Sequence, residues 1–139
     1  LAQALMAGYA QDLDESMAAL AAAAAGWGVD ELADGLIQGM LEFRRGRPAF
    51  VALAEAVGST LPVADSLAIR RQLRRHLQAM FAARCGRPAE ELQAVAVAAL
   101  QLMKAAVAIN AEPGLAGRRA ALDELRLALR SYLRAALRA

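Results

Sequence analysis

The sequence predicts an all-α fold, a helical bundle of about six helices in one domain spanning residues 1–139. Three observations carry this. The chain is rich in Ala and Leu and poor in Gly, Pro and aromatic residues, and Ala and Leu lose little on entering a helix. Apolar residues recur at helical rather than strand spacing. Gly- and Pro-bearing corners cut the chain into helix-length pieces, and no strand pattern or repeat interrupts them.

Residues 2–25 form the first helix, with Leu5, Tyr9, Leu13, Met17 and Leu20 on one stripe. The "GWG" of Gly26–Gly28 ends it. Asp30 and Glu31 favour the start of a second helix through their charge at its N-terminus, and this helix runs to Arg45 with Leu32, Leu36, Met40 and Phe43 as its stripe. "RGRP" makes a tight corner, and Pro48 opens a short third helix to about Val57, since Pro suits a first helical turn. After "GSTLP", a fourth helix covers 63–84 with Leu67, Leu73, Leu77, Met80 and Phe81 apolar. "CGRP" repeats the corner chemistry before the fifth helix, 88–110. "NAEPGLAG" separates that from a sixth, 117–138.

The fifth helix contains "AVAVAALQLMKAAVAI", Ala94 to Ile109. On a helical wheel Glu90, Gln93, Gln101 and Lys104 share one narrow side. Leu92, Val95, Leu102 and Met103 make a bulky arc, expected to face the bundle's own core. Ala94, Ala98 and Ala105 make an adjoining small-residue arc. Sixteen residues reach only about 24 Å at 1.5 Å per residue, against about 30 Å of hydrocarbon. Lys104 would also lie inside the bilayer, at a cost of a few kcal/mol. No membrane span is therefore expected, and burial against a second subunit accounts for the surplus apolar surface. The sixth helix fits this reading. Leu122, Leu125, Leu129, Tyr132, Leu133 and Ala136 form its stripe, while Leu127 lies off it among charged neighbours. The last two helices are expected to meet their symmetry mates as an intermolecular four-helix bundle, with Ala94, Ala98, Ala105, Leu127 and Tyr132 at the interface.

Net charge is +2, which is no nucleic-acid signature for the chain as a whole. Residues 1–65 hold nine acidic and three basic side chains, and residues 66–139 five and thirteen, so the two halves differ in sign. The single cysteine, Cys85, rules out an internal disulfide framework and suits a reducing, cytoplasmic setting. Leu1–Ala25 carries Asp12, Asp14 and Glu15 and no basic leader, unlike a signal peptide. The chain opens on Leu, which suggests a piece of a longer protein.

Catalytic signals are weak. His76 is the only histidine, so no histidine-based metal cluster forms, and no metal or cofactor is expected. It follows "RRQLRR", where neighbouring positive charge disfavours its protonation, and a structural or solvated role outweighs that of a general base. Cys85 falls at a helix C-terminus, where the dipole opposes thiolate formation. Arg70, Arg71, Arg74 and Arg75 share one helix face, read as solvated because no aromatic residue interleaves with them. Lys104 reads as a surface lysine on an apolar helix. Met40, Phe43, Phe50, Met80, Phe81 and Met103 recur on apolar faces of several helices. Flexible Met side chains in an Ala-filled bundle can line an adaptable cavity. Leu36, Met40, Phe43, Phe50, Leu73, Leu77, Met80 and Met103 are the candidate ligand-binding residues.

The stretch "VDELADGLIQGMLEFRRGRPAFVALAEAVGST" resembles the middle of tetracycline-repressor-like transcriptional regulators. There a helix ends near an aromatic residue, a short basic corner leads into Pro-x-Phe, and a short helix follows. The arginine-rich helix, the apolar helix after "CGRPAEE" and the final "LDELRLALRSYL" helix continue in the family's order, so the resemblance covers essentially the whole chain. It implies a C-terminal effector-binding and homodimerisation domain of a regulator, a repressor rather than an enzyme. DNA would be bound by an N-terminal helix-turn-helix domain that these residues lack. "LAQALMAGYAQDLDESMAAL" is similar to the helix that connects the two domains in that family.

The expected function is sensing of a small apolar or amphipathic effector that shifts the spacing of two such heads. Two alternatives stand beside it. One is a purely structural dimerisation module with a filled core. The other is a small helical enzyme, which would need convergent polar groups in a cleft.

Overall fold

The computed structural model describes residues 2–47 and 63–138. Among them are five α-helices: α1 (Ala2–Ala23), α2 (Val29–Arg45), α3 (Val63–Cys85), α4 (Gln93–Ala111) and α5 (Arg118–Ala136). The short helix expected from Pro48 lies outside the described residues, as does Phe50.

Helix boundaries follow local chemistry. After α1 the chain tightens into a 3-10 turn, Ala24–Gly26, closed by the Trp27 amide donating to the Ala24 carbonyl at 2.9 Å. Gly28 caps α2 without a side chain. Glu31 supplies the return arm, its Oε1 accepting from the Gly28 amide at 3.5 Å. At the end of α3 the Gly86 amide donates to the Ala82 carbonyl at 3.0 Å, with Gly86 left-handed at φ 73°. Pro88 is extended and holds the next residues to a 3-10 turn, Ala89–Leu92, before α4 proper begins. The fifth predicted helix therefore starts as a tighter coil than its pattern suggests.

Helix α4 packs against α2, α3 and α5, while α1 lies against α2 and α3. Four polar contacts give the helix directions. Asp14 meets His76 and Ala24 meets Arg84, so α1 and α3 run the same way. Arg130 and Arg134 of α5 meet Asp34 and Asp30 of α2, so that pair is antiparallel. The Arg87 guanidinium donates to the Ala136 carbonyl at 2.7 Å, which ties the start of α4 to the end of α5.

The core collects Leu13 and Met17 from α1 and Leu32, Leu36 and Ile37 from α2. It adds Leu77 and Phe81 from α3, Leu100 and Met103 from α4, and Leu129 and Leu133 from α5. Two stripes differ from expectation. Of the α1 stripe only Leu13 and Met17 are buried, whereas Leu5 is 43% exposed. On α4 the bulky arc splits. Leu92 and Met103 are buried, but Val95 and Leu102 are only partly so, and Ala96, Ala99 and Ala106 take the inner positions. Small residues there let three neighbouring helices approach one axis closely, since interaxial distance follows side-chain size.

With its leading 3-10 turn this helix is 23 residues long, Ala89–Ala111, and apolar enough to cross a bilayer by length and composition. The length argument against a span therefore does not hold. The helix is nonetheless built into the bundle, with Ala96, Ala99, Leu100, Met103 and Ala106 buried and Gln101 and Lys104 exposed. It is a core helix that also presents an outer face.

Candidate functional site

Between α1, α2 and α4 lies a mostly enclosed apolar cavity of about 50 Å³. Leu13, Ser16, Met17 and Leu20 of α1 form one wall, Leu36, Gly39, Met40 and Phe43 of α2 the opposite wall, and Met103 of α4 the floor. Three methionines, Met17, Met40 and Met103, therefore meet at one void. Their unbranched thioethers change rotamer readily, so the space is adaptable. Gly39 leaves room where a side chain would stand: a Cβ there would lie 3.8 Å from Leu20 Cδ2.

Of the eight candidate ligand residues, Leu36, Met40, Phe43 and Met103 line this cavity. Leu73, Leu77 and Met80 do not. They are buried on α3 in the continuous core, outside the lining of this cavity. Leu13, Met17 and Leu20 belong to the α1 stripe, and only the packing of α1 on α2 places them in the wall. Ser16 and Gly39 carry no pattern by which the sequence singles them out.

At one end of the cavity a polar cluster joins α1 to α2. The Arg47 guanidinium lies 4.0 Å from the centroid of the Phe43 ring, within cation–π range. Its Nε donates to Asp12 Oδ2 at 3.3 Å and its Nη1 to the Phe43 carbonyl at 3.3 Å. Asp12 precedes the lining residue Leu13, so this pair spans the cavity's rim.

On the other side of α1, His76 is not the isolated side chain its sequence context suggests. Its Nε2 sits 2.5 Å from Asp14 Oδ1. Hydrogen bonds from Gln72 and His76, with the positive charge of Arg75, hold the Asp14 carboxyl below its usual range. These side chains and Ala79 surround an open cleft of about 280 Å³. The contact fastens α1 to α3. Cys85 is buried at the end of α3. Arg70, Arg71 and Arg75 are exposed, as their shared face implies. Among the described residues no group of three or more His, Cys, Asp or Glu side chains could hold a metal ion.

A larger space of about 550 Å³ opens between α2 and α5, lined by Trp27, Glu31, Asp34, Gly35, Gln38 and Arg126. It is a broad surface depression, and Asp34 within it is already held by Arg130. Volume alone is no argument for it over the small enclosed cavity, because ligand sites are concave and mostly apolar.

The interface candidates fall on outer faces. Ala94 is exposed, and Ala98, Ala105 and Tyr132 are half-buried. Leu127 is 52% exposed. Five positions separate Leu127 from Tyr132, about 140° around an α-helix.

A family model described as tetracyclin repressor-like, C-terminal domain, matches residues 29–133. No curated protein and no solved structure matches the chain significantly.

Proposed function

The chain belongs to the family of tetracyclin repressor-like C-terminal domains, and we propose that it is the effector-sensing and homodimerising part of a cytoplasmic transcriptional repressor. The observation that supports this most is the methionine-lined cavity between α1, α2 and α4. Leu36, Met40, Phe43 and Met103, joined by Leu13, Met17 and Leu20, would hold a small apolar or amphipathic effector there. Ligand pockets usually measure about 300–1,000 Å³, so the 50 Å³ void is the closed form. Rotation of three methionines and movement of α1 away from α2 would enlarge it. A ligand that favours the wider state shifts the population of α1 positions. In the parent protein α1 would connect to a DNA-binding head, so the same shift would change operator affinity reciprocally with ligand affinity.

Dimerisation is proposed through the outer faces of α4 and α5, with Ala94, Ala98, Ala105 and Tyr132 facing a second copy and Leu127 at or beyond the edge. Small residues on one face permit a close four-helix contact across a two-fold axis. The small size of the void supports a second reading, a dimerisation module whose core binds nothing.

Native mass spectrometry of gently purified protein separates the two. The sensing reading expects a co-purified molecule, or a thermal shift with apolar ligands, abolished by Gly39→Leu, which fills the cavity. No bound mass and no shift across such a panel would favour the structural module. Static light scattering at micromolar concentration should give twice the chain mass, and a monomer would sink the dimer.

A further inference from the structure

Resting on the sensing reading above, we infer that the effector carries an anionic head on its apolar body, and that this head takes Arg47 from Asp12. Among the described residues that line the cavity none is charged. The polar side chain among them is Ser16, which is exposed and so stands at the mouth. A cation stands against its wall: the Arg47 guanidinium rests 4.0 Å from the centroid of the Phe43 ring.

Arg47 is only partly engaged. Asp12 takes its Nε alone, at 3.3 Å, and the Phe43 carbonyl takes Nη1. Carboxylates bind guanidinium best through two parallel hydrogen bonds, so the Asp12 contact leaves the fork open to a better partner. Both side chains also reach water, Arg47 at 28% and Asp12 at 46% exposure, and an exposed single-point pair is weak and readily exchanged. An amphiphile whose tail enters among Met17, Met40 and Met103 brings its carboxylate to this rim. It then competes with Asp12 for the same donors. Capture has a structural consequence, because Arg47–Asp12 ties the end of α2 to α1. The head group cuts that tie while the tail parts the same two helices.

The test uses the 139-residue chain and three probes of equal length: decanoate, decanol and decyltrimethylammonium. Binding is read by isothermal titration calorimetry. Decanoate is expected to bind about tenfold more tightly than decanol, in keeping with a charge-assisted pair. Arg47→Gln should erase that difference, so that decanoate and decanol bind alike. Asp12→Asn removes the competitor and should tighten decanoate binding by about threefold, the scale of an exposed ion pair. Equal binding of decanoate and decanol, insensitive to both substitutions, overturns the anionic head and leaves the apolar cavity standing. Preference for the ammonium probe, or decanoate binding that persists in Gly39→Leu, overturns it too. Binding of none of the three removes both this inference and the sensing reading.

Discussion

Arg130 grips Asp34 at two points: Nε donates to Oδ1 at 2.7 Å and Nη2 to Oδ2 at 2.5 Å. One turn further along α5, Arg134 holds Asp30 in the same fork-on-fork manner. Residues 96 and 104 positions apart in the chain are thereby locked in register, and bidentate geometry fixes orientation as well as distance. Arg130→Met should lower the melting temperature, Asp34→Asn should do the same, and the double variant should lose less than the two together. Additive losses in that cycle would show the pair to be uncoupled. Added salt should shrink the effect, since both partners are partly solvated.

Acid should weaken the fold through two carboxylates. Asp14 is held below its ordinary value of 3.8 by hydrogen bonds from Gln72 and His76, and Asp30 by its bond to Arg134. Each carboxyl binds its proton less readily folded than unfolded. Their contribution is therefore complete above the unfolded value and disappears as pH falls through the lowered folded values. Urea titrations stepped from about pH 5 down to about pH 2 should show stability falling below the usual Asp range. Asp14→Asn should flatten part of that slope, and an unchanged slope would show that the His76 contact does not persist in solution.

Gly35 sits under Trp27, the only tryptophan of the chain. A Cβ at position 35 would come within 2.6 Å of Trp27 Cζ3, nearer than real contacts allow. Gly35→Ala should displace the ring and shift its emission. The ring's outer edge can move, and Ala gains up to about 1 kcal/mol in helix propensity over Gly, so stability should change little. An unaltered fluorescence spectrum would mean that the ring does not rest on Gly35.

Gly39→Ala is the opposite case. Its new methyl would make an ordinary 3.8 Å contact with Leu20 and occupy part of the void. Stability should rise by about 1 kcal/mol from propensity alone, with ligand affinity falling as space is lost. Chemical denaturation with and without a bound probe measures both. Destabilisation would mean that the cavity wall cannot accept the methyl.

The proposed dimer contacts separate by face. Ala98→Glu and Ala105→Glu should each give a monomer in light scattering, because a charge buried without a partner is costly. Leu127→Glu should leave the dimer intact, as Leu127 points about 140° away from Tyr132. A monomer from Leu127→Glu alone would move the interface to the charged side of α5.

Helix positions were legible because Gly and Pro mark the corners and because 3.6-residue periodicity is local. Leu36 and Phe43 on α2 were legible as inward-facing for the same reason. The cavity was half legible. Met40 and Met103 announce adaptable packing, but a wheel shows direction and not which helix stands opposite. Leu73, Leu77 and Met80 are buried as Leu36 is but do not line this cavity. Gly39 becomes part of the wall through what it lacks, a feature no hydrophobic pattern records. His76 illustrates the same limit: four arginines surround it in sequence, while the carboxylate that touches it comes from α1, 62 positions away.

The Arg84 guanidinium bonds to the Ala24 carbonyl just past the end of α1. With that end held, α1 becomes a lever about the Gly26 end once its Asp12–Arg47 and Asp14–His76 contacts give way. Leu13 stands eleven residues from Ala24, about 16 Å, and Ala2 about 33 Å. Any displacement that a widening cavity imposes at Leu13 is therefore about doubled at Ala2. The methionines can keep their motion small, because the length of the helix multiplies it.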